Sequence, residues 1–98
     1  MWRHGDVYLA SVAAIPDFAR ELPHCTLAEG ELTGHSHRIR ESGAATLYEV
    51  SGERFLQVSA EIATLIHQEH GPIELPRGTY RVWFQREYTP EEIRRVID

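Results

Sequence analysis

Two histidine pairs carry the strongest chemical signal in this sequence: His35-x-His37 and His67-x-x-His70. On an extended strand, residues i and i+2 project from one face, with Cβ atoms about 6–7 Å apart. Two imidazoles placed this way can chelate one ion. A pair at i and i+3 does the same on a helix face, or where a strand bends. Neutral imidazole nitrogen suits first-row transition metals, whereas calcium and magnesium prefer oxygen. The two pairs therefore predict one divalent transition ion (zinc, iron, nickel or manganese) held by His35, His37, His67 and His70.

The chemistry of such a site depends on its open positions. Four histidines with no vacancy would make a structural or storage site. Three histidines and a bound water would allow metal-assisted chemistry, because the ion lowers the pKa of that water. Glu41 and Glu69 are near enough in sequence to serve as ligands, as partners orienting an imidazole, or as a base. Each also reads as a plain surface carboxylate. No nucleophile or acid–base pair stands out, so the catalytic residues stay unknown and enzymatic activity stays open. His4 and His24 lack a spaced partner and read as surface residues. Cys25 reads as a small buried hydrophobe, though it could be a soft ligand. Arg81 and Gln85 read as polar side chains of a strand, with bidentate carboxylate binding by Arg81 as the rival reading.

Short β-type segments must position these groups. Residues 6–12, 25–28, 45–50 and 54–58 read as strands, and Ser51-Gly52-Glu53 is a hairpin signal. Residues 17–22 could form one helical turn, with Phe18 and Leu22 four apart. Residues 59–70 fit a helix starting at Ser59 or a strand through 63–67, and the β-rich surroundings favour the strand. Ile73-Glu74-Leu75 alternates, and Pro76-Arg77-Gly78 has turn chemistry. Residues 79–88 make the clearest strand, with Tyr80, Val82 and Phe84 on one face. Thr89-Pro90 then resembles a helix start, and residues 91–98 read as one or two turns or an extended arm.

The expected fold is mainly β: a compact single-domain barrel or sandwich of about seven short strands over residues 1–98, with at most one or two short helices. A chain of 98 residues leaves no room for a second independent core. Its hydrophobic fraction of 42% and charged fraction of 26% exclude a disordered tail, a fibre or a coiled coil. No apolar run nears the roughly 20 residues of a membrane helix. The start, Met1 to Asp6, has no signal-peptide character, so a cytoplasmic location is expected. The lone Cys25 excludes an internal disulfide.

With 15 acidic and 10 basic residues the net charge is -5, which disfavours binding a polyanion. All ten basic residues are arginine, which reads as codon usage more than as design. The expected partner is a small molecule or protein of unknown identity, with no membrane and nucleic acid disfavoured. A homodimer would suit so small a core.

The run from Gly30 through Gly34-His35-Ser36-His37 to Glu41 and Gly43 resembles the first cupin motif. Pro76-Arg77-Gly78 resembles the turn of the second, with Arg81 where a metal-binding histidine would stand and Gln85 where an asparagine would. The resemblance implies a cupin-like barrel of six to eight strands around a metal, with its third ligand supplied by His67 or His70. Cupins include enzymes, sugar-binding modules and storage proteins, so the resemblance selects no activity. The chain also resembles small uncharacterised bacterial and phage proteins. The functional expectation is a small cytoplasmic metal-binding β protein, with a metal-dependent enzyme as its catalytic version. The alternative is a non-catalytic interaction module with a structural metal or none.

Overall fold

Alternation between apolar and polar residues sets the first long pairing. At β2, Val7–Ser11, Val7 and Leu9 are buried while Tyr8 and Ala10 are half-buried. β1, Trp2–His4, precedes it through the two-residue turn Gly5-Asp6, and His4 pairs with Val7. Gly5 takes a φ of +62°, a left-handed conformation that side chains resist.

The computed structural model describes residues 1–29 and 35–84. The remaining strands are β3 (Arg20–Glu21), β4 (Thr26–Glu29), β5 (Ser36–Ile39), β6 (Ala45–Val50), β7 (Glu53–Ile66) and β8 (Ile73–Phe84). All pairings are antiparallel, and the main path runs β1-β2-β8-β7-β5-β4, with β6 joining β7 to β3. The result is a compact, mainly β domain without helices among the described residues. It is not a closed barrel there, since no ladder joins β1 to β4.

One irregularity shapes the sheet. Val58 pairs with Gly78 and Ile62 with Pro76, so β7 takes four steps where β8 takes two. This bulge bends β7. Its first half then pairs with β6 and its last residues, Leu65 and Ile66, pair with β5. The amides of Ser59 and Ala60 both donate to the Ala44 carbonyl and hold the bend. Segment 59–66 is therefore strand, as its β-rich surroundings suggest.

Pro76-Arg77-Gly78 is not a turn, contrary to its composition. It is extended chain opposite the bulge. Pro76 is tolerated because β2 ends its pairing at Tyr80, so no neighbour on that side needs the missing N–H. Residues 17–22 are not helical either. Pro16 and Pro23 bracket too short a stretch to nucleate a helix, and the Leu22 amide instead donates to the Leu47 carbonyl, extending the β3–β6 ladder. Phe18, at a φ of +67°, is 98% exposed. The last residues of the 79–88 strand, with Gln85, and the helix or arm expected at 91–98 lie outside the described residues.

The core sits on the inner face of the bent sheet. Leu9, Leu27, Leu47, Leu56, Leu65, Leu75 and Tyr80 are its largest members. The edge of the Trp2 ring packs on Tyr80 at 5.2 Å between centroids, so β1 lies over this core.

Candidate histidine site

The bend in β7 and the curl of the sheet bring one end of four segments together. His4 ends β1, His37 lies in β5, and His35 immediately precedes β5. His67 and His70 lie in the bent connection between β7 and β8. Five of the six histidines thus converge. Ring centroids are 4.3 Å apart for His37 and His67, 4.7 Å for His67 and His70, and 5.8 Å for His37 and His70. His4 stands 5.0 Å from His37, 5.7 Å from His70 and 6.2 Å from His67. His35 touches the group at its rim, 5.4 Å from His67, with its Nδ1 3.2 Å from a Glu69 carboxylate oxygen.

His4 is the main correction to the sequence reading. It is not a surface residue but only 2% exposed. The available signal was Trp2-Arg3-His4 before Gly-Asp: a short alternating strand whose histidine must share the inward face of the tryptophan. His24 is exposed, and its Nδ1 accepts a bond from the Thr26 amide.

Hydrogen bonds fix several tautomers. His4 Nε2 lies 2.8 Å from the Gly71 carbonyl, which can only accept, so Nε2 carries the proton. Neutral His4 then has a lone pair on Nδ1. His37 Nδ1 lies 2.9 Å away and donates to it. His67 Nδ1 accepts from the amides of Glu69, at 3.0 Å, and His70, at 3.3 Å. Those bonds bend the connection and bring His70 back beside His67.

Three of the rings, His4, His37 and His67, are disfavoured in their charged form. Burial, followed by the neighbouring imidazoles, pushes His37 down to about 4, while Asp6 offsets this slightly. Burial also lowers His4, partly offset by its bond to Gly71. His67 is lowered by burial and by His70. Neutral imidazole is the form that binds metals.

Among the described residues, no three His, Cys, Asp or Glu side chains stand in a chelating arrangement. The hydrogen bonds give a reason: His67 Nδ1 is committed to two amides, and His4 and His37 are bonded to each other.

Glu41 stands apart from the cluster. Its carboxylate accepts from the Thr64 amide at 2.8 Å and the Thr64 hydroxyl at 2.7 Å. These bonds hold its pKa down to about 2 and tie the end of β5 to β7. Cys25 is half-buried, donates to the Ala45 carbonyl, and has its thiol pKa raised by burial. Arg81 pairs with Glu53 at 2.8 Å and lies over Trp83, which matches a polar strand face. An open groove of about 440 Å³, lined by His24, Cys25, Arg40 and Glu41 among others, shares no residue with the cluster.

Fold and site together define a small antiparallel β domain with a histidine cluster at one end of its sheet. The chain belongs to a family described as a domain of unknown function, DUF8820, whose model matches residues 3–85. That span includes all five clustered histidines. No curated protein and no solved structure matches the chain.

Proposed function

We propose that this is a small cytoplasmic protein that binds one divalent transition ion at the histidine cluster. One observation carries the reading. In a tetrahedral site with metal–nitrogen bonds of roughly 2.0–2.1 Å, imidazole centroids stand about 5.2 Å apart. The six separations among His4, His37, His67 and His70 run from 4.3 to 6.2 Å and straddle that value. Each separation lies within about 1 Å of that value, and binding would also require His67 to turn a ring nitrogen from its amide bonds to the ion. Of the sequence-based set His35, His37, His67 and His70, these separations support the last three, while His35 stands at the rim, 5.4 Å from His67 and beside Glu69.

The neutral nitrogen donors favour zinc, nickel or iron over magnesium or calcium. In this reading the molecule is cupin-like in one respect: it offers His-x-His at the start of a strand of an antiparallel sheet, His35 just before β5 and His37 within it. A metal-dependent enzyme would need an open coordination position. His70 is exposed and marks the side from which water or substrate would enter.

The test is the metal content of protein prepared without a histidine tag or chelator, beside a His35→Ala, His37→Ala variant. About one ion per chain, lost in the variant, is expected. No ion at any loading would overturn the reading. A second reading, a non-catalytic interaction module, draws support from Phe18, which is held fully outward at a left-handed loop position.

A further inference from the structure

β1 is three residues long and, among the described residues, pairs only with β2. Along the sheet, β2, β8 and β7 separate it from β5. Yet His4 bonds to His37 of β5 and to the Gly71 carbonyl of the β7–β8 connection. The imidazole therefore spans a seam that no ladder between β1 and β5 crosses. Gly71 also fixes its tautomer, leaving the Nδ1 lone pair turned toward the other rings. A ligating histidine whose second nitrogen donates to a backbone carbonyl is the usual outer-shell arrangement of metal sites.

We propose that His4 is a ligand of the ion through Nδ1, and that the ion clasps the N-terminal hairpin to β5 and to the β7–β8 connection. The proposal rests on the metal-binding reading above. Two nitrogens on one tetrahedral ion stand about 3.3 Å apart. The Nδ1 atoms of His4 and His37 are already 2.9 Å apart, so they need to part by only a few tenths of an ångström. The proton on His37 Nδ1 moves to its Nε2 through water as the ion enters. The imidazole pair therefore keeps its two protons, and none is released. Gly5 lets the β1–β2 turn approach this closely: a Cβ there would lie 2.6 Å from His70 Nε2 and 3.2 Å from His37 Cε1.

The probe is zinc, added to the full chain. Long-range nitrogen–proton NMR of the imidazoles is expected to show His4 Nδ1 moving to the metal-bound range while Nε2 keeps its proton. Zinc should also slow amide exchange in β1 and β2. His4→Ala is expected to weaken zinc affinity by more than about 100-fold, beyond the roughly 10–100-fold seen on losing an outer-shell partner. If zinc binds the native chain but leaves His4 Nδ1 and the β1 amides unmoved, the clasp is overturned and the metal site stands without it. If the native chain binds no zinc, both fall together. Should His4→Ala fail to fold, the imidazole spectrum of the native chain decides alone.

Discussion

Gly5 lies against His70 with no room for a side chain between them. A Cβ built on Gly5 would meet His70 Nε2 at 2.6 Å, closer than such atoms are found in proteins. Two costs would follow from a side chain here: backbone strain at a φ of +62°, and displacement of His70. Gly52 separates them, because its φ is +78° and a Cβ there meets nothing within 4 Å. Left-handed strain costs about 1–2 kcal/mol for an ordinary residue. Gly52→Ala should lose about that much in urea unfolding. Gly5→Ala should lose more and should also weaken metal binding. Equal losses, with metal binding intact, would show that the turn does not press on the cluster.

Metal binding should appear as stability. A ligand that binds only the native state at 100 times its dissociation constant adds about 2.7 kcal/mol. In a domain of this size that corresponds to a rise of roughly 10–20 °C in Tm. The rise should appear with zinc or nickel, vanish in His37→Ala, His67→Ala, and be absent with magnesium. Scanning calorimetry with each ion measures it. A magnesium effect as large as that of zinc would contradict a nitrogen-donor site.

Much of this arrangement was legible in local pattern, and the rest was not, for physical reasons. Ser51-Gly52 announced its hairpin because a two-residue turn needs left-handed backbone, and both residues adopt it. The pairs His35-x-His37 and His67-x-x-His70 predict a shared ion, and of that the structure shows only that their rings stand in one group. His4 escaped because its neighbours are not near it in sequence: the curl of the sheet brings β1 to β5, and no spacing rule encodes a curl. Pro76-Arg77-Gly78 misled for a similar reason. Turn chemistry and bulge chemistry use the same residues, and only the register against Val58 and Ile62 tells them apart. The helical turn expected at 17–22 lost to a ladder contact with β6, which is non-local.

Glu41 gives a pH dependence of defined sign. Thr64 holds its carboxyl at about 2 in the folded chain, against an ordinary value of 4.5. A depressed carboxyl stabilises the fold fully above its unfolded value and loses that contribution as pH falls toward the folded value. The native chain should therefore exceed Glu41→Gln in denaturant midpoint from pH 5 to 7 by a constant margin. The margin should shrink below about pH 4.5 and close near pH 2. A margin unchanged down to pH 2 would show that the carboxylate charge plays no part. The comparison also isolates Glu41 from the histidines, whose protonation at low pH is common to both chains.

Arg54 marks the place where the sheet stays open. It alternates with Leu56 and Val58, so it points inward from β7. Its Nη1 donates to the carbonyls of Thr26, at 3.3 Å, and Leu27, at 2.9 Å, on the terminal strand β4. Those carbonyls belong to an edge, where unpaired backbone acceptors would otherwise invite another chain. One nitrogen of the guanidinium, Nη1, donates to both, while its stem packs beside the core. Glu49, 3.5 Å from Nε, neutralises part of the charge. Bonds to a charged donor contribute about 1.5–3 kcal/mol when made. Arg54→Met keeps much of the stem and removes the donor, so it should cost about that much and expose β4 to exchange. Arg54→Lys keeps the charge but has a shorter reach and no Nε to bond Glu49, so it should recover only part. Amide exchange at Thr26–Glu29 decides the outcome. If both variants leave those amides as protected as in the native chain, β4 is held by its ladder with β5 alone, and Arg54 is only a half-buried cation balanced by Glu49.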